Sequence, residues 1–474
     1  MSLRQRALLA IGLTVGFYLL AVALMALLAW LLTHRVAVVP CFIGIVAIAA
    51  SIIPWPRRFD PPGPMLNPAG QPRLFTELQS VAKAVGEAMP AEVYVTPDMN
   101  AGVLQRGRRR VMVLGLPLMQ VLTVNEMRAV LAHEFGHYHG GDTRLGPWIY
   151  RTREAIERAI RNASRSSGLL QLPFLWYGRL FMRVTQAVSR QQELAADALA
   201  ARTFGSRSMI GGLRALARGS VAWSAYWLNE VVPLVEAGYQ PPIAEGFQRF
   251  LNEPEIRQKV EAAAEQHLAE SSPDPYDSHP PDNQRIAALA AMPEGSSDDG
   301  VSAPASSLVD NVQGIEPFLL MGMLRPGVQL RQIRWQDAGP QAMLPGFQQR
   351  VRAQASMVKD YTVGWLPELV KYADRIGGAE ASAAGRQLER EHVTELGVGF
   401  IGAAFTCALA AHGWSAESMP GRPVVMRRGQ AADGEDTIEP FVEVNRMARG
   451  DLDAATWQER CSRLGIRDLA LAPV

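Results

Sequence analysis

The chain has 474 residues, with 47 Lys and Arg against 46 Asp and Glu and a net charge of +1. That length holds a large core and two soluble domains beside any membrane part, and the balanced charge argues against a nucleic-acid partner. Three cysteines, Cys41, Cys407 and Cys461, lie far apart. They form no disulfide scaffold and no ligand cluster, and their scarcity fits a reducing compartment. A bound metal therefore has to be held by histidine and carboxylate.

The N-terminal region predicts a membrane anchor. Residues 7–32 run for 26 positions without a charge, and residues 36–53 for another 18. Each is long enough to cross about 30 Å of hydrocarbon, and the three residues Thr33, His34 and Arg35 leave room only for a tight hairpin. A signal peptide is the wrong match, since the first run is too long and a second follows at once; two buried core helices are the alternative. Arg4 and Arg6 precede the hairpin and Arg57 and Arg58 follow it, while the turn carries only Arg35. The positive-inside rule then puts both ends in the cytoplasm. Residues 60–64, Asp-Pro-Pro-Gly-Pro, read as a linker leaving the bilayer.

Leu74, Leu78, Val81 and Val85 mark a helix. Short strands are expected at 93–95, 101–105 and 111–114, the last two joined by a turn at 106–109. The next helix carries His133-Glu134-Phe135-Gly136-His137. Thr123 and Glu126 have capping-box spacing, Met127, Val130 and Leu131 form an apolar stripe, and Gly140-Gly141 gives a stop. Residues 169–184 are rich in Leu, Phe and Trp, but Arg179 and Arg183 interrupt them, which fits a membrane-skimming or core helix. Residues 206–268 read as helical with Trp223 and Trp227 as a core stripe, 271–281 as a loop and 282–291 as helix. Residues 295–307 look like a low-complexity linker and domain boundary. Beyond it, 308–376 read as mostly helical and 377–385 as a break. A small α/β unit follows, with a helix near 400–411 and strands near Val424 and Ile438. The apolar run 397–411 is too short and Gly-rich to span a membrane.

The pentapeptide carries the chemistry. Residues four apart share a helix face, so His133 and His137 can grip one Zn²⁺, and Glu134 projects beside it where a base for water is needed. A catalytic zinc needs a third protein ligand. His139 points about 200° away from His137 round the helix. Glu193 is the better candidate, on a second helix with Asp197 one turn further on the same face. These two can also be solvated helix charges, although Leu194, Ala195 and Ala196 between them argue for burial.

Four motifs in order carry a resemblance. His-Glu-Phe-Gly-His with Asp142 behind it, then Glu193-x-x-x-Asp197, is similar to the membrane-anchored zinc peptidases of the HtpX and CAAX-prenyl-protease type, which are gluzincins. Residues 97–101, Pro-Asp-Met-Asn-Ala, resemble that family's substrate-binding edge strand, and His279-Pro280-Pro281 with Arg285 its His-Pro…Arg segment. The resemblance spans about residues 70–292; the last ~170 residues lie outside it. It implies zinc ligands His133, His137 and Glu193, with Glu134 as general base. It also implies that Asp197 orients a ligand histidine, that His279 stabilises charge on the attacked carbonyl, and that Arg285 holds a carboxylate near the metal. Asn100, Ala101, Gly102 and Val103 would pair with an extended peptide. Asp142, His279 and Arg285 can each instead be ordinary surface or helix-end residues. Some relatives carry two further clear spans between the metal helices; here only the Arg-interrupted 169–184 stretch stands in that place.

The expected fold is mainly α with a small β-sheet. It comprises a transmembrane hairpin at 1–58, a zincin-like metallopeptidase domain at 59–297 and an accessory α/β domain at 308–474. The expected function is a zinc endopeptidase acting on membrane-associated or misfolded polypeptides, in contact with the lipid bilayer, with the catalytic domain on the cytoplasmic side of a bacterial inner membrane. A zinc-binding scaffold that recruits partners through its C-terminal domain is the alternative, and the intact Glu134 counts against it.

Overall fold

Long apolar runs without turn residues fold as helices because only a helix satisfies every backbone group locally. The computed structural model describes residues 3–36, 38–53, 59–106, 109–139, 142–166, 169–271, 279–293, 303–324, 328–383, 385, 387, 389–429 and 436–472. Its contacts divide the chain into two units, residues 1–221 with 261–322 and residues 222–260 with 323–474.

In the first unit, α1 (Leu3–Thr33) and α2 (Val38–Ile52) form the N-terminal hairpin. α1 is long and apolar enough to cross a membrane; α2 is apolar and 15 residues long. Leu8, Val15, Leu19, Val22, Phe42 and Val46 are exposed, which suits a lipid-facing surface. α3 (Pro72–Val85) buries Leu74, Leu78, Val81 and Val85 and ends on Gly86 in the left-handed region at φ 73°. Only glycine takes that cap without strain. Strands β1 (Met65–Leu66), β2 (Glu92–Thr96), β3 (Ala101–Arg106) and β4 (Arg109–Gly115) make a sheet of order β1-β2-β4-β3. β2 and β4 are parallel, whereas β3 pairs antiparallel with β4 from Ala101↔Leu114 to Arg106↔Arg109. β3 is thus an edge. Gly107 and Arg108 of the expected turn lie outside the described residues. Arg106 and Arg109 bond the buried Glu92, and the Arg106 guanidinium stacks on Phe59.

A short α4 (Leu116–Val121) leads to α5 (Val124–His139). The capping box is present in both directions: the Thr123 N–H donates to Glu126 Oε2 at 2.8 Å, and the Glu126 N–H donates to Thr123 Oγ1 at 3.3 Å. The expected stop at Gly140-Gly141 lies outside the described residues. α6 (Asp142–Ser166) and α7 (Leu172–Phe204) follow, then α8 (Ser206–Tyr226).

α6 and α7 correct one of the two readings of residues 169–184. Residues 172–184 are not a membrane-skimming helix but the first part of a 33-residue helix, and the core-helix alternative holds. With α6 that part packs against α1 and α2, around Phe17, Ala21, Ile48, Ala155, Ala159, Phe174 and Phe181. The Tyr177 hydroxyl donates to the Leu13 carbonyl at 2.6 Å. Arg158 Nε donates to the Ser51 carbonyl, and Asn162 Nδ2 to its hydroxyl. A second correction concerns the expected linker. Ala305, Leu308 and Val309 are buried in the first unit's core, and the backbone on either side of Pro304 pairs with residues 122 and 124.

In the second unit, Tyr226, Phe247, Phe250 and Trp335 pack together, so residues 222–260 share a unit with the C-terminal region. The helix Arg390–Ala411 buries Phe400, Ile401, Phe405 and Leu409. Its apolar stretch would satisfy a length criterion for crossing a membrane but is 67% buried, the mark of a core helix. Residues 415–417, 425–428 and 436–438 form an antiparallel sheet. The break expected at 377–385 is not one at its start. Gly377 lies inside the helix Ala373–Ala383, where a Cβ would collide with the Val393 carbonyl.

Candidate metal centre

The centre sits where α5 crosses α7. A Cβ on Gly136 would lie 3.1 Å from both Cα and Cβ of Ala196, so a glycine in the middle of the first helix is what lets the second approach. Sequence reasoning fixed on the histidines and carboxylates and gave this glycine no role. A glycine inside a strongly patterned helix was the available signal.

That close approach brings three groups together. His133 Nε2 and His137 Nε2 are 3.2 Å apart. Glu193 reaches both, with Oε2 at 3.4 Å from His133 Nε2 and Oε1 at 3.6 Å from His137 Nε2. Among the described residues this is the cluster whose ligand atoms all lie within 4.8 Å of one another. The side chains of His139 and Asp142 lie outside the described residues. Glu193 Oε2 is buried, with His133 Nε2 at 3.4 Å and Arg285 at 3.8 Å but no close hydrogen bond from the described residues, an arrangement that a cation between the donors would complete. Two imidazole nitrogens and one carboxylate match a zinc donor set with one position open. The residues therefore fit a metal ion.

A ring of charges supports the trio. His133 Nδ1 lies 2.8 Å from Asp197 Oδ1. Asp197 in turn accepts both arms of the Arg285 guanidinium, at 2.8 Å and 2.7 Å. The fork also approaches Glu193 at 3.8 Å. Burial alone would raise the Asp197 pKa, but the bonds from Arg285 and His133 overcome it and hold it at about 2. Burial likewise works against the His133 cation, yet Asp197 and Glu193 together lift its pKa to about 9. Glu134 goes the other way: burial raises its pKa although His133 and His137 lie close by. Adjacent carboxylates pushed in opposite directions suit one that holds its charge and one that exchanges a proton.

His279 places Nε2 3.4 Å from Glu193 Oε1 and is largely exposed. Asp282 begins the helix Asp282–Ala290, which holds Arg285 buried. Asn100 precedes the edge strand and its carbonyl accepts the Gly115 N–H. Ala101 is buried, and Gly102 and Val103 are half-buried on that strand. β3 touches α5.

Residues 68–293 match the model of peptidase family M48. That segment is similar to the metallopeptidases of this family. The protease HtpX of Idiomarina loihiensis is 29% identical over 164 residues, covering 31% of this chain and 57% of that relative. The HtpX protease of Tolumonas auensis is 26% identical over 220 residues, covering 40% and 72%. That of Erwinia tasmaniensis is 28% identical over 225 residues, covering 40% and 74%. No solved structure matches the chain. The matched segment holds the α5–α7 crossing and the helix bearing Arg285.

Proposed function

We propose that this protein is a membrane-anchored zinc endopeptidase that hydrolyses membrane-associated or misfolded polypeptides. In this reading residues 1–58 anchor it, 59–221 with 261–322 form the catalytic unit and 222–260 with 323–474 the accessory one, with the catalytic part on the cytoplasmic side of a bacterial inner membrane. The observation that carries it is the convergence of His133, His137 and Glu193 beside Glu134.

His133, His137 and Glu193 would hold the ion. Bound there, zinc supplies a Lewis acid that polarises a carbonyl and lowers the pKa of water. Glu134 takes the proton from the attacking water and passes it to the leaving amine, a role its buried place beside His133 and His137 suits. Asp197 fixes the ring of His133 through Nδ1, and Arg285 fixes Asp197, so the ligand nitrogen is aimed before substrate arrives. His279 donates a hydrogen bond to negative charge developing on the attacked oxygen. An extended peptide adds to the free edge of β3 at Asn100–Val103, held by its backbone with little demand on its sequence.

The deciding experiment pairs metal analysis with casein cleavage. Glu134→Gln should keep one metal per chain and lose at least about 10²-fold in turnover. Glu193→Ala should lose the metal as well, whereas His139→Ala should retain it. Activity surviving Glu134→Gln, or metal surviving Glu193→Ala but not His139→Ala, defeats the assignment.

A further inference from the structure

The bundle formed by α1, α2, α6 and α7 carries a stripe that the hydrolytic reading does not use. Along the outer face of α7, Leu172, Trp176, Leu180, Arg179 and Arg183 are all exposed, Trp176 by 68%. Spacings of three, four and seven put them on one side of the helix. The stripe has a polarity: apolar at the start of α7, cationic toward the metal centre. Among the described residues neither Arg179 nor Arg183 has an ion-pair partner.

α1 serves as a ruler for depth. Leu170 and Leu28 both approach Gly44, Phe174 stacks with Phe17, and Tyr177 bonds the Leu13 carbonyl. α7 therefore runs antiparallel to α1. Arg183 lies six residues, about 9 Å, beyond Tyr177, which brings it level with the start of the apolar stretch at Leu8. Arg179 lies a few ångströms deeper, within reach of the same level by extending its side chain. On the neighbouring α6, Arg151 is also exposed and without an ion-pair partner among the described residues. It precedes Arg158, which bonds the last turn of α2, so it too lies at the metal-centre end.

We propose that this stripe is a binding site for an anionic phospholipid of the leaflet nearest the metal centre. The acyl chain lies on Leu172, Trp176 and Leu180, and the phosphate is held between Arg179 and Arg183. The order of groups matches that of the lipid, and two guanidinium forks four residues apart suit a phosphate diester. The inference rests on the membrane reading above.

The test reconstitutes the full chain into vesicles of equal parts phosphatidylcholine and phosphatidylglycerol. The lipid retained after gentle detergent extraction is then identified by mass spectrometry. Phosphatidylglycerol should be enriched on the order of ten-fold over the mixture, and enrichment should vanish in Arg179→Gln/Arg183→Gln and largely persist in the Lys pair. Retained lipid that mirrors the mixture, enrichment that survives the Gln pair, or a polypeptide held there instead overturns the proposal. Should the Gln pair not fold, salt decides with the natural chain: enrichment unmoved from low to high salt also overturns it. Failure to float with pure phosphatidylcholine vesicles removes the membrane reading itself, a distinct outcome.

Discussion

Two helix crossings in this molecule use one device for opposite ends. In the first unit Gly136 lets α5 close on α7. In the second unit Gly377 and Gly397 let the helices Ala373–Ala383 and Arg390–Ala411 close so far that added Cβ atoms would strike opposing carbonyls. The first crossing buries His133, Glu193, Asp197 and Arg285; the second buries Phe400, Ile401, Phe405 and Leu409. Close approach is thus generic, and chemistry comes from what is enclosed. The polar crossing is tolerable because nearly every buried charge has a counter-charge.

The largest effect should come from unbalancing the polar crossing. Arg285→Leu strands Asp197 and should cost about 3–5 kcal/mol. Chemical denaturation would measure it, and a loss below about 1 kcal/mol would mean that Arg285 is not structural. Gly377→Val should follow, by about 1–3 kcal/mol or more from overpacking, with metal content unchanged. Gly136→Ala is the mirror case. It should cost less stability, since the 3.1 Å contact can relax, but raise the metal dissociation constant measurably. If both glycine variants act alike on metal content, the contrast between the crossings fails.

A third test uses Glu230, in a π-helical turn of the second unit. Burial raises its pKa to about 7, against the bond it accepts from the Gly421 N–H. A carboxyl whose pKa is raised on folding stabilises most when protonated. That contribution is complete below the unfolded value and lost as pH rises through about 7. Glu230→Gln should therefore raise the melting temperature at pH 8 relative to the natural chain by a few degrees, with the gain gone at pH 4. The smallest effect is expected at the sheet edge. Val103→Pro removes a backbone donor at a half-buried edge position and should raise KM several-fold while leaving metal content intact. A folded, metal-loaded variant with unchanged cleavage would rule out peptide addition to β3.

What the sequence disclosed follows the range of each signal. The α5 capping box, the β3–β4 hairpin and the apolar N-terminal runs are local patterns, and each is present where its residues predicted it. The trio of metal-site residues is also local, because each helix declares its own face. The α6–α7 packing was not legible. α6 carries six arginines, and nothing in its sequence says that Ala155, Ala159 and Ala163 on its other side meet α1 and α2. The 303–309 segment misled for a related reason. Ala, Pro and Ser suggest a tether, and three apolar side chains are too few to announce a strap into a core.

α7 runs unbroken from Phe174, packed on Phe17, to Glu193 at the metal, a span of 19 residues or about 28 Å. Such a rod is a lever arm. A tilt of about 2° at its anchored end swings the far end by about 1 Å, several times the roughly 0.2 Å tolerance of a coordination bond. In the proposed function, the same bundle that anchors the chain therefore also sets the aim of Glu193. A bilayer whose thickness tips that bundle reaches the metal centre without touching it.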